Sequence, residues 1–97
     1  MSPYDPAIKT SIRRRIAKGK TLVQAFHDLK TELWRDELRL EKAIEELKQK
    51  ARQQKRALTG AEKNHIRGWN GGISMNRSRR LAADSLELSG WDPDQDG

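Results

Sequence analysis

The chain has 97 residues, of which 34% are hydrophobic and 35% charged, with a formal net charge of +6 at pH 7. This length suits one domain with a modest core, and the apolar share lies below the roughly 45–50% (glycine included) of ordinary globular domains. Without cysteine and without an apolar window of about 18 residues, disulfides, zinc–thiolate sites, thiol nucleophiles and membrane-spanning helices are excluded, and we expect a cytoplasmic protein.

The first predicted helix covers residues 5–19. Asp5 is a favourable N-cap, Pro6 is favoured at the first helical position, and Gly19 is suited to end the helix. Isoleucines recur every four residues and form a narrow apolar stripe: Ile8, Ile12 and Ile16. The opposite side carries a run of three arginines: Arg13, Arg14 and Arg15.

A long second helix is predicted over residues 21–58, with Thr21 as its cap. Its apolar positions follow the spacing of a heptad seam, with Asp36 where the next apolar residue should fall. Such a helix is about 55 Å long, too long for the rest of so small a chain to cover. We therefore expect a homodimer, or another protein, to cover its apolar stripe, through Leu29, Leu33, Trp34, Leu40, Ile44 and Leu47.

Residues 59–88 are predicted to form two shorter helices joined by a glycine turn. The run from Thr59 to Glu62 fits a capping box, and residues 70–72 (Asn-Gly-Gly) are the clearest break in the chain. This order resembles the generic helix-turn-helix unit of DNA-binding proteins. It departs from that pattern where an apolar–alanine pair is expected, since Ser78 and Arg79 stand there. The alternative is an ordinary helical hairpin with a solvated basic face.

The predicted architecture is thus all-α, with about four helices in a single domain over residues 1–90. Gly90 is suited to end the last helix. Residues 91–97 have the composition of a disordered acidic tail, in which Trp91 can fold back as an anchor.

Charge is sorted into blocks along the chain. Residues 1–20 contain six bases and one acid, and residues 21–47 contain seven acids and four bases. Residues 48–80 then contain ten bases against Glu62 alone, and residues 81–97 contain five acids and no base. Basic blocks of this density attract phosphate backbones through charge neutralisation and counterion release. We expect the folded chain to merge them into one continuous cationic surface.

The helix-turn-helix-like pair supplies the predicted base contacts, from Asn76, Arg77 and Arg80. Lys63, Arg67 and Arg79 are expected to hold phosphates beside them. Further phosphate contacts are expected from the first helix and from the end of the long helix: Arg13, Arg14, Arg15, Lys48, Arg52, Lys55 and Arg56.

Other chemistry is not indicated. His27 and His65 are far apart and lack a second ligand three or four residues away, so we expect no metal site. No nucleophile stands with a base, and no cofactor or small-molecule motif is complete. We therefore expect a non-catalytic nucleic-acid-binding protein, DNA ahead of RNA, acting as a small regulator or accessory factor. The alternative is a helical adaptor, assembly subunit or inhibitor that acts on a nucleoprotein complex.

Overall fold

The computed structural model describes residues 3–95, which form three α-helices: α1 (Asp5–Ala17), α2 (Leu22–Gln53) and α3 (Gly60–Leu88). α2 and α3 form an antiparallel hairpin, and α1 packs across its open end. The molecule is elongated, with principal extents of 58 × 25 × 18 Å. The all-α class is confirmed, but the described residues contain three helices rather than about four. None of these three helices combines the length and apolar composition needed to cross a membrane.

The start of α1 differs slightly from the prediction. Tyr4 stands at the cap position without a side-chain hydrogen bond, and Asp5 lies in the first turn, where its charge still suits the helix dipole. Gly19 has a φ of +99°, which L side chains rarely adopt, and its position after the last turn of α1 confirms it as the predicted stop.

Both long helices begin with capping boxes. In the first, the Gln24 amide donates to Thr21 Oγ1 at 3.2 Å, and the Thr21 amide donates to Gln24 Oε1 at 3.0 Å. In the second, which was predicted, the Glu62 amide donates to Thr59 Oγ1 at 3.1 Å and the Thr59 amide to Glu62 Oε1 at 2.9 Å. These bonds satisfy amides that a helix start leaves without partners, so the sequence defines both starts locally.

The predicted break at residues 70–72 is wrong, because these residues lie inside α3. At Gly72, a Cβ would lie 3.0 Å from Leu40 Cδ1, so this glycine permits close packing of α3 on α2. Ile73 is buried next to Ile44 at the same level of the hairpin. This packing outweighs the cost of glycine in a helix interior, which is about 1 kcal/mol for each glycine relative to alanine. α3 is one rod, and the helix-turn-helix-like pair over residues 59–88 is not formed.

The hydrophobic core is concentrated at the open end of the hairpin. Helix α1 supplies Ile8 and Ile12 to this core. Trp91 has folded back onto it, with its ring at 6.3 Å and 89° from that of Phe26. The core cluster comprises Ile8, Ile12, Ala25, Phe26, Leu29, Ala82, Ala83 and Leu86. Asp96 and Gly97, the end of the predicted acidic tail, lie outside the described residues.

Candidate nucleic-acid interface

The bases of α1 lie at the open end, where aromatic and acidic partners engage several of them. Arg15 donates to Ser11 and Glu32. The Arg13 guanidinium lies 5.5 Å from the centre of the Trp91 ring, within cation–π range. Arg14 is exposed, and its side chain forms no ion pair or hydrogen bond within residues 3–95.

The predicted base-reading arginines lie halfway along the hairpin and face α2. Arg80 donates to Glu37 in a bidentate pair, Nε to Oε2 at 2.7 Å and Nη2 to Oε1 at 3.1 Å. Arg77 Nε lies 3.5 Å from Glu37 Oε1, and its Nη2 lies 3.8 Å from Glu41 Oε1. The third predicted base-reading residue, Asn76, is half-buried. Arg79, which was predicted to hold a phosphate, lies over the Tyr4 ring at 5.9 Å.

Glu37 explains this arrangement. It is only 3% exposed, and a buried carboxylate is costly unless charged partners satisfy it. Arg80 and, at a longer distance, Arg77 supply those partners from α3, so both stabilise the hairpin, although the Arg77 side chain remains 58% exposed. In the sequence, Glu37 and Asp36 fit the apolar spacing between Leu33 and Leu40 equally well, and the structure shows that Glu37 is the buried one.

The closed end of the hairpin is different. Six exposed cations gather there, from the last turns of α2, from the turn that follows it and from the first turns of α3. We call this set the basic tip: Lys48, Lys50, Arg52, Lys55, Lys63 and Arg67. Arg52 lies 3.8 Å from Glu45, and the side chains of the other five form no ion pair or hydrogen bond within residues 3–95.

Arg56 holds the turn behind the basic tip together. Its guanidinium donates to Glu62 in a bidentate pair, at 2.6 and 3.0 Å. This pair, together with the bond from the Thr59 amide, lowers the pKa of Glu62 to about 2. Lys55 reverses the chain with a φ of 51°. Arg56 is therefore a structural residue of the turn rather than one of the free cations.

The basic groups do not merge into the continuous surface that the sequence predicts. α1 packs against the N-terminal third of α2, up to about Leu33. The basic tip begins at Lys48, 15 residues further along the helix, and such a stretch rises about 22 Å. Between the two groups lie Arg77 and Arg80, engaged with Glu37. Within residues 3–95, the basic tip brings exposed cations of α2, the turn and α3 together, and all of them except Arg52 lack an ion pair or side-chain hydrogen bond.

Two aromatic rings of α3 lie close to the basic tip. The rings of His65 and Trp69 stack at 5.8 Å with an interplanar angle of 26°. Trp69 is half-buried and His65 is exposed. Within residues 3–95, no group of three or more His, Asp or Glu side chains could hold a metal ion.

The side chains predicted as a dimer interface take part mainly in packing within the chain. Leu29 and Ile44 are buried, and Trp34 is 49% exposed. α1 and α3 thus cover most of the stripe that the sequence alone leaves uncovered. The half-buried members are Leu33, Leu40 and Leu47.

Comparison with protein-family models, with curated proteins and with solved structures finds no significant match for this chain.

Proposed function

We propose that this chain is a non-catalytic nucleic-acid-binding protein that holds the phosphate backbone of duplex DNA at its basic tip, as a small accessory factor. One observation carries this proposal. Residues 48–67 contain seven bases against one acid, and that acid, Glu62, is committed to Arg56. The local excess of six positive charges equals the net charge of the whole chain.

The energetics favour phosphate contacts at this place. Lys48 and Arg52 are four residues apart, so they share one side of α2 and span about 6 Å along its axis, and Lys55 follows in the turn after the helix. Lys63 and Arg67 add a second row from α3. Phosphates that replace counterions around these groups release the condensed ions of the duplex, which favours binding at low salt.

The shape of the tip indicates backbone contact rather than base reading. Two helices that pack side by side are about 20 Å across, because their axes are 8–10 Å apart and each is 10–12 Å wide. The major groove of B-DNA is only about 12 Å wide and admits a single helix. The side chains predicted to read bases, Asn76, Arg77 and Arg80, lie along the hairpin and not at its end. We therefore expect little dependence on DNA sequence.

Matched charge-removal variants test this proposal. The double variant K55Q/K63Q removes two cations from the basic tip, and R14Q/K18Q removes two exposed, unpartnered cations from the open end. Electrophoretic mobility shifts with duplex DNA and with RNA over a salt series measure the binding affinity of both double variants and of the parent. The salt dependence is the slope of the logarithm of the binding constant against the logarithm of the salt concentration. We expect K55Q/K63Q to reduce the magnitude of this slope by about 2, because each lost phosphate contact reduces it by about 1. R14Q/K18Q should bind as the parent does.

Three results would contradict the proposal. If both double variants weakened binding equally, only the net charge would matter and the basic tip would not be the site. If neither did, the contacts would lie elsewhere. Binding to RNA with no measurable binding to duplex DNA would overturn the choice of DNA.

A further inference from the structure

The hairpin carries an uncovered apolar surface on the side turned away from α1. Six large hydrophobic side chains are exposed within residues 3–95, and helical spacing places five of them on this side. Trp34 and Leu38 form its centre and Leu81 lies beside them, at 49%, 43% and 64% exposure. Leu81, at the margin of this side, also lines a cavity with Tyr4, Asp5 and Lys9. Val23 and Leu88 lie near its end at the open end of the hairpin. We call this surface the open face.

Helical spacing and ion pairs define the open face. On α2, residues Lys30, Trp34, Leu38, Glu41 and Glu45 succeed one another at intervals of four or three and form one stripe. A matching stripe on α3 carries Arg77, Leu81 and Asp84. Two contacts join the stripes: Lys30 Nζ to Asp84 Oδ1 at 2.9 Å, and Arg77 Nη2 to Glu41 Oε1 at 3.8 Å. Glu32 and Arg79, which contact α1, lie on the opposite side of the two helices.

We propose that a second copy of this chain covers the open face, in an antiparallel arrangement with its two-fold axis between Trp34 and Leu38. A two-fold axis at this point places α2 on α2 and α3 on α3 of the two copies. Trp34 of each copy then meets Leu38 of the other, and Leu81 lies close to its own counterpart. The centre of the interface is thus apolar, as the cores of homodimer interfaces are.

Charge complementarity around that axis supports the second copy as the occupant. Lys30 and Glu41 lie six residues before and five residues after residue 36, so they meet across the axis. On α3, Asp84 and Arg77 stand on opposite sides of Leu81 and meet in the same way. Each of these groups already has an opposite charge in its own chain, so the dimer extends two existing pairs into four-membered networks.

A parallel arrangement of the same faces is disfavoured. It would bring the two basic tips to the same end, each with an excess of six positive charges over residues 48–67. Like charges placed together across an interface are costly. The antiparallel arrangement instead sends the tips in opposite directions. The open face, with sides of about 30 Å and 20 Å, is also on the scale of a standard interface, about 800 Å² per partner.

The oligomeric state tests this proposal, which does not rest on nucleic-acid binding. We expect light scattering coupled to gel filtration to give twice the chain mass of 11.2 kDa at about 100 μM. L38E, which places a carboxylate at the apolar centre, should give a monomer. The matched control is M75E, since Met75 is 46% exposed on another side of the hairpin; it should remain a dimer. Circular dichroism checks that both variants are folded.

A cysteine variant tests the arrangement of the two copies, because the natural chain has no cysteine. Under mild oxidation, L81C should form an intermolecular disulfide, as its counterpart lies across the axis. N64C, at the far end of α3, should not. A wild-type monomer, an L38E dimer, an M75E monomer, or cross-linking of N64C in place of L81C would each overturn the proposal.

Discussion

Glu37 and its arginine partners are the residues on which the hairpin most depends. A buried carboxylate that loses its partner leaves an uncompensated charge, which is far more costly than the pair is favourable. We expect R80M to lower the free energy of unfolding by about 2–3 kcal/mol, less than the full effect of breaking a buried pair because Arg77 remains within reach of Glu37. Urea unfolding measures this loss.

The double variant E37M/R80M is the control for that prediction. It removes both charges and fills the space with apolar side chains, so it should be close to the parent in stability. If R80M alone were neutral, or if the double variant were as unstable as R80M, Glu37 would not be a buried charge that needs a partner.

Glu62 titrates unusually because Arg56 and the Thr59 amide favour its charged form. Its pKa is lowered from an ordinary 4.5 to about 2, so its contribution to stability is complete above pH 4.5 and is lost as the pH falls towards 2. We expect a carboxyl-carbon NMR titration to place the Glu62 midpoint near 2. In R56Q, where only the Thr59 amide remains, the midpoint should rise towards 4.5. A midpoint near 4.5 in the parent would contradict the bidentate pair.

At the scale of elements, helix starts were predictable and the path of α3 was not. Thr59 and Glu62 stabilise a helix start through residues three apart, so the motif is visible in the sequence. The glycines of residues 70–72 also gave a strong local signal, but the packing of Gly72 on Leu40 lies between residues 32 positions apart. No local rule reveals such a contact, and the tertiary packing prevails.

Two neighbouring glycines test the continuity of α3. Gly71 has nothing within 4 Å of where its Cβ would be, whereas at Gly72 the nearest atom, Leu40 Cδ1, lies at 3.0 Å. We expect G71A to raise the free energy of unfolding by about 0.5–1 kcal/mol through helix propensity. G72A should gain less, since Leu40 must shift. If G71A destabilised the protein, a turn at these residues would be indicated in place of a continuous helix.

At the scale of the whole molecule, charge blocks in the sequence indicated one basic surface of the folded chain but not the place of every base in them. Residues 48–67 are basic in sequence and remain basic in space, because the turn keeps both helix ends together. Arg77 and Arg80 belong to the same sequence block, but they face Glu37 from the opposite helix. Partners contributed by another helix are invisible to a count of charges along the chain.

The two proposals together describe an extended assembly. In the antiparallel dimer, the basic tip extends from 12 residues (Lys48) to 19 residues (Lys55) beyond the axis at residue 36, or roughly 20–30 Å, so the two tips are about 40–60 Å apart. Each tip can hold a separate stretch of phosphate backbone. Monomeric L38E should therefore keep its contacts at the tip but lose the gain that comes from binding through two sites.

The proposed function requires that phosphates bind at the closed end of the hairpin. Backbone amide NMR during titration with a short DNA duplex tests it most directly. We expect chemical-shift changes that saturate, that are confined to residues 48–67, and that fade as salt is added. Changes concentrated on residues 9–18 of α1 or on residues 76–80 of α3, with the closed end unaffected, would contradict this account.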